Sequence, residues 1–334
     1  MTTRRVLGFY KFMEVTAPER LRDELLEIGT KLDIKGTILL AHEGVNATVV
    51  GTEAHLRQFQ AALTQQFGDL PFKWSDLDPD NPGFYRYKVK VKPEIVSFGV
   101  ADLDLAATGD HVTVERWHEL LDDPEVVVID TRNTYEIDIG TFPNAVNPNT
   151  TNFREFPEWV AAHLDPNTNK EVAMFCTGGI RCEKASAYFK HKGFKNVYQL
   201  EGGIIEYTRQ VKEKSLENKF LGQNFVFDDR RAERITDDVI ANCHQCGEPF
   251  DMHTNCANDA CHLLFIQCDA CKEEMNNCCS TTCKEIHALP YEEQKALRKG
   301  QGNSNDIFKK GRADYLPYKK DLRNIFETLR ADNQ

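Results

Sequence analysis

No run of apolar residues in this 334-residue chain approaches the roughly twenty needed to cross a bilayer, so a helical membrane span is excluded. Met1-Thr-Thr-Arg-Arg5, followed by the alternating stretch Val6–Phe12, has no signal-peptide core, and the expected compartment is the cytoplasm, away from any membrane. Internal repeats and low-complexity tracts are missing. So are a glycine fingerprint for flavin or nicotinamide and a His/His/carboxylate set for iron. The formal net charge of −11 lacks the basic excess of a protein that coats nucleic acid nonspecifically, although a local basic face stays open. What remains is enough for packed cores: 41% hydrophobic residues in a length that suits two or three domains. Nothing in this composition fixes a subunit count.

The 11 cysteines are not spread as a disulfide scaffold would spread them. Nine fall within 243–283, as Cys243-x2-Cys246, Cys256-x4-Cys261-His262, Cys268-x2-Cys271 and Cys278-Cys279-x3-Cys283. In a cytosolic chain such clustering points to metal ligation or redox work. Each Cys-x2-Cys knuckle can give a tetrahedral zinc two thiolates from one turn. Cys243, Cys246, Cys256, Cys261, Cys268, Cys271, Cys278 and Cys283 are therefore expected to hold two structural zinc ions. Reduced buried thiols or disulfides are the alternative, His244, His253 and His262 could substitute as ligands, and the spacing leaves the pairing open. A segment so poor in large apolar residues would owe much of its stability to metal.

The other two cysteines belong to one loop, Cys176-Thr-Gly-Gly-Ile-Arg-Cys182. It follows the buried-strand signal Val172–Phe175 and precedes a helical pattern over Glu183–Lys190. Cys176 should then face a helix N-terminus and a ring of loop amides, which favour the thiolate and make it a nucleophile. Thr177, Gly178, Gly179 and Ile180 shape that curl, Arg181 adds a permanent positive charge, and Cys182 could resolve an oxidised Cys176 or simply begin the helix core. An inert buried thiol is the plainer alternative for a lone cysteine. Upstream, Val126–Ile129 runs into Asp130-Thr-Arg132, expected to support the site, then Glu136, Gly140-Thr-Phe-Pro143 and Asn144-Ala-Val-Asn-Pro148; downstream, Val197–Leu200 ends in Glu201-Gly-Gly203. In that order these strings resemble the rhodanese domain, over about 113–213. The resemblance implies an α/β fold and a loop cysteine that carries a persulfide in many members.

Residues 1–96 read strand, helix, strand, strand, helix, strand: Leu7–Glu14, Pro18–Leu32, Gly36–Leu40, Val45–Val50, Thr52–Phe67 and Tyr85–Val91. That order suggests a ferredoxin-like sandwich, similar to acylphosphatase, but Val15-Thr-Ala-Pro18 offers no arginine for a phosphate loop. His42, Glu43 and Asn46 could form a site or merely brace a hairpin turn. Arg86, Lys88, Lys90 and Lys92 alternate with Tyr87, Val89 and Val91, which on a strand puts every charge on one side. This face is either an RNA-binding surface or the lysine-guarded outer side of an edge strand. Residues 97–112 read as a linker, Thr113 as the N-cap of a helix over Val114–Leu121, and 214–334 as the cysteine-rich C-terminal region. Near the end, Lys309-Lys-Gly-Arg312 and Lys319-Lys320 bracket Tyr315 and Tyr318, a mix that suits RNA or a charged surface.

Cys176–Lys184, Cys243-His-Gln-Cys-Gly-Glu-Pro249 and Asn255–Cys268, read with the N-terminal pattern, resemble the oxygen-dependent tRNA uridine hydroxylases over nearly the whole chain. The resemblance implies hydroxylation at C5 of the wobble uridine, with tRNA as partner and molecular oxygen as co-substrate. Sulfurtransfer through a Cys176 persulfide is the alternative. A third reading makes the rhodanese fold a docking scaffold without chemistry, against which an intact Cys-x-x-x-x-Arg loop counts.

Overall fold

The computed structural model describes residues 4–77, 81–299 and 316–317. They form two compact units, one running to Gly99 and including Val226–Arg231, the other comprising Val100–Phe225 and the chain from Ala232.

In the first unit, β1 (Arg4–Phe12), β2 (Lys35–Ala41), β3 (Gly44–Thr52), β4 (Lys73–Asp76) and β5 (Tyr87–Val91) make one sheet in the order β4-β1-β3-β2-β5. Helix α1 (Pro18–Lys31) starts with proline at its first position, where the missing N–H costs nothing. Helix α2 (Glu53–Phe67) is capped by Thr52, whose hydroxyl accepts from His55 N–H at 3.2 Å. Period-two apolar residues Leu7, Phe9, Ile38, Leu40, Ala47 and Val49 meet Leu25, Leu56, Phe59 and Leu63 of the helices in one core. The ferredoxin-like pattern differs from the sequence expectation in one element. The strand that closes it beside β1 is Lys73–Asp76, whereas Tyr87–Val91 is an added edge strand running parallel to β2. Lys-Trp-Ser-Asp is too short and polar to announce itself as a strand.

The second unit centres on four parallel strands, β6 (Asp110–Val112), β7 (Val126–Asp130), β9 (Glu171–Phe175) and β10 (Asn196–Leu200), ordered β6-β10-β9-β7. The stretch expected as a linker thus contributes its last three residues to this sheet. Between strands come α3 (Val114–Asp122), α4 (Thr134–Ile137), the short β8 (Gly140–Thr141), α5 (Phe156–His163), α6 (Ile180–His191) and α7 (Gly203–Lys214). Trp117, Phe142, Phe175, Tyr207 and Phe220 pack edge to face as the centre of one core. Strand β11 (Leu221–Phe225) lies between β8 and β12 (Ala232–Arg234). The cysteine-rich part follows, with a small hairpin of β13 (His253–Asn255) and β14 (Leu264–Ile266), then α8 (Asp269–Met275), α9 (Thr281–His287) and α10 (Tyr291–Arg298).

Candidate functional site

Three of the strings singled out in the sequence meet at the carboxyl ends of three adjacent parallel strands, the edge where open α/β sheets carry their sites. Asp130 ends β7, Cys176 follows β9, and Glu201-Gly-Gly203 follows β10. Cys176 is 1% exposed. Gly179 N–H donates to its Sγ at 3.0 Å, from a residue with φ of 98°, a left-handed conformation that suits glycine and turns the amide inward. The loop carbonyls are turned away by α7: Ile204 and Ile205 N–H donate to the carbonyls of Cys176 and Thr177 at 3.0 and 3.1 Å. Gly203 permits this approach. A Cβ there would lie 2.5 Å from Cys176 O and 2.8 Å from Thr177 O.

Burial opposes charge on Cys176, but a hydrogen bond from the Cys182 thiol, the positive field of Arg181 and the N–H groups of Arg181 and Gly179 outweigh it, and the thiol falls to about 5. Cys182, also fully buried, moves the other way: burial and the neighbouring Cys176 raise it well above the ordinary thiol range. Its sulfur also lies 3.7 Å from Thr131 Oγ1. The pair is therefore a thiolate beside a protonated thiol. Ile180 opens α6 and Gly178 completes the curl.

Arg181 is held by Glu136, from the short helix α4 that follows β7. Its guanidinium makes a two-point ion pair with Glu136, Nη1–Oε1 at 2.7 Å and Nη2–Oε2 at 2.8 Å, and Nη2 also reaches Thr177 Oγ1 at 3.4 Å. Burial pushes the Glu136 carboxyl up, yet the charges of Arg181 and Arg132 and the Arg181 hydrogen bonds bring it below its ordinary value. The permanent positive charge expected beside the sulfur is thus held in place by a buried carboxylate. Asp130 and Arg132 lie deeper, both 0% exposed. Arg132 bonds both Asp130 oxygens at 2.9 and 2.6 Å and Gly140 O at 2.6 Å, while Thr141 Oγ1 donates to Asp130 at 2.9 Å. This buried network ties the end of β7 to β8 and supports the loop from below.

Two cysteine groups could hold metal ions: Cys243, Cys246, Cys268 and Cys271, and separately Cys256, Cys261, Cys279 and Cys283, with the ligand atoms of each group within 4.8 Å of one another. Sulfurs of Cys246 and Cys268 are 3.6 Å apart, and Cys279 is 3.7 Å from both Cys261 and Cys283. Four thiolates about 2.3 Å from a central zinc would be separated by about 3.8 Å, close to these values. Backbone N–H groups of Cys268 and Cys279 point at Cys243 and Cys256, at 3.4 and 3.5 Å. Four sulfurs so close cannot all ionise without a cation among them. The pairs alternate along the chain, first with third and second with fourth.

One expected ligand is corrected. Cys279 joins the second group, and Cys278, its neighbour, directs its thiol to Asn276 O at 3.5 Å; adjacent residues cannot both face one centre here, and the spacing alone did not choose between them. The histidines stand outside both groups. His244 Nδ1 accepts from Ile266 N–H at 3.3 Å, His253 packs edge-on against Phe225, and His262 lies 3.8 Å from Asp259.

In the first unit, Arg86, Lys88, Lys90 and Lys92 are all exposed while Val89 is buried, as period two requires. His42, Glu43 and Asn46 brace the hairpin: His42 Nδ1 lies 2.9 Å from Val15 O, Glu43 accepts from Ile95 N–H at 2.7 Å, and Asn46 donates to Ile95 O at 3.0 Å. The basic and aromatic mix at 309–320 lies outside the described residues. No described helix is long and apolar enough to cross a membrane.

Three family models match in series: the UPF0176 acylphosphatase like domain at residues 4–95, the Rhodanese-like domain at 113–210 and the Rhodanase C-terminal at 221–284. Curated relatives named tRNA uridine(34) hydroxylase are similar over most of the chain. That of Escherichia fergusonii is 45% identical over 314 residues, 92% of this chain and 89% of the relative. That of Cronobacter sakazakii is 45% identical over 316 residues (92% and 90%), and that of Photorhabdus laumondii 44% over 314 (92% and 89%).

Proposed function

The chain belongs to the tRNA uridine(34) hydroxylase family, and from that membership we infer that it hydroxylates the wobble uridine of tRNA, at C5 of the uracil, with molecular oxygen as co-substrate. The observation that carries this reading is 45% identity spread over 92% of the chain. Cys176 is the catalytic group we assign. Its support is the lowered thiol and the amide cradle, which suit a nucleophile adding to C6 of the ring. Addition places an electron pair at C5. Transfer of that pair to oxygen, with a proton, gives a C5 hydroperoxide; two thiols of a small-molecule pool then reduce its O–O bond to the C5 hydroxyl and water, becoming a disulfide. Loss of the C5 proton and of the Cys176 sulfur from C6 restores the ring and the thiolate. The sum is uridine, oxygen and two thiols giving 5-hydroxyuridine, water and a disulfide.

Arg181, with Glu136, positions the cradle, and Asp130 and Arg132 support it. Zinc in the two four-cysteine groups would be structural, and Arg86, Lys88, Lys90 and Lys92 would follow the tRNA backbone. The expected setting is the cytoplasm. Nucleoside analysis of tRNA incubated with the protein and a thiol, under air and under argon, tests the reading. Oxygen-dependent 5-hydroxyuridine is the expected product, and sulfur transfer from thiosulfate to cyanide with unchanged tRNA would overturn it in favour of a sulfurtransferase.

A further inference from the structure

Among the described residues, two strongly exposed aromatic side chains belong to the first unit, Tyr85 at 76% and Phe227 at 50% exposure. They are 142 residues apart in sequence. The loop Val226–Arg231 carries Phe227 and is tied to the stretch just before Tyr85: it closes on itself through Val226 N–H to Arg231 O at 3.0 Å, and Asp229 N–H donates to Gly83 O at 2.9 Å. Arg230 fastens it further, bonding both Asp228 oxygens at 2.9 and 2.6 Å and Asp76 O at 3.3 Å. Tyr85 lies two residues beyond the Gly83 to which this loop is bonded.

Directly after Tyr85 the edge strand β5 begins its row of cations. Tyr87 and Val89 turn inward, Tyr87 Oη donating to Leu25 O at 2.8 Å, and Arg86, Lys88, Lys90 and Lys92 turn out. Among the described residues none of these four has an ion-pair partner. In a chain of net charge −11, an unneutralised row of four is a directed feature. Successive outward residues of a strand lie about 6.8 Å apart. A duplex needs only the charges. Exposed aromatic rings on the segments beside the head of the row serve a ligand with exposed flat bases as well as phosphates.

We propose that Tyr85 and Phe227 form a base-stacking shelf that, with the β5 cations, binds unpaired nucleotides of an RNA loop. This rests on the reading of the protein as a tRNA-modifying enzyme, and specifies how the RNA is held. An acidic peptide would use the cations but leave the rings idle.

The full-length protein is titrated with an anticodon stem–loop RNA and with the same stem closed as a blunt duplex. Tyr85→Ala and Phe227→Ala should each weaken stem–loop binding about tenfold and the double variant about a hundredfold, with the salt slope unchanged because no charge is lost. Tyr85→Phe and Phe227→Tyr should retain wild-type affinity, since the ring faces persist. Lys88→Glu with Lys90→Glu should instead flatten the salt slope by roughly one unit per lost phosphate contact. Stem–loop affinity within about twofold of wild type in the double alanine variant would overturn the proposal, as would equal affinity for the duplex or equal competition by polyglutamate. If the ring variants lose binding but no preparation forms 5-hydroxyuridine, the shelf stands and the assigned reaction falls.

Discussion

Arg181 and Glu136, 45 residues apart, meet in a buried two-point ion pair beneath the Cys176 loop. Arg181 thereby acts on the sulfur from a fixed position, through its field and its backbone N–H, and its own charge is already matched. Arg181→Ala leaves a fully buried carboxylate without its partner, which should cost about 3–5 kcal/mol in denaturant unfolding. The Arg181→Ala/Glu136→Ala double variant should recover much of that stability and none of the lost turnover. Equal stability of the single and double variants would show that the carboxylate is compensated elsewhere.

The Cys176 thiolate has its own pH signature. With the thiol lowered to about 5, the sulfur is charged at neutral pH, and activity should fall only as acid protonates it through that value. The thiolate ultraviolet absorbance of wild type minus Cys176→Ser, followed against pH, should rise around 5. Removing the hydrogen-bond donor in Cys182→Ala should move that midpoint upward and slow the reaction near neutrality. A midpoint that stays in place would mean that the cradle amides and Arg181 suffice.

Gly203 never approaches the sulfur through a side chain, having none, yet Gly203→Ala should cripple the enzyme. Its φ of 68° is strained for alanine, and the new methyl would drive into the carbonyls of Cys176 and Thr177. We expect a stability loss of about 1–3 kcal/mol and a thiol midpoint shifted upward. Wild-type turnover and titration in this variant would show that the loop tolerates displacement.

The cysteine groups predict two metal ions per chain by elemental analysis, with removal by a chelator unfolding the C-terminal region. Cys279→Ser should abolish one of the two. Cys278→Ser should keep both, because its thiol faces Asn276 O and a serine hydroxyl can still donate there. The reverse pattern would restore the ligand set expected from spacing.

Much of the active loop could be read from the chain because its residues are contiguous: Cys176, the glycines and the start of α6 act through spacing of a few residues. The partners that complete it are remote. Glu136 stands among the strings behind the resemblance without a role, and only the fold carries it to Arg181; Glu201-Gly-Gly203 reads as the end of a strand, while Gly203 proves to be the clearance for another loop. Alternation put the four cations on the exposed side of β5, but the strand's place in the fold was misassigned, since it is an added edge and not the closing strand. Alternation could not reveal β4, whose four polar residues are a strand only because β1 offers an edge. The choice between Cys278 and Cys279 turns on a backbone rotation that no spacing rule encodes.

The alternation of the cysteine pairs has a consequence for supply. Each four-sulfur group encloses one pair of the other within its chain loop, so an ion lost from one loosens the path that shapes its neighbour. Filling should therefore be cooperative: when metal runs short, half-loaded molecules should be scarcer than independent binding at two separate sites would leave.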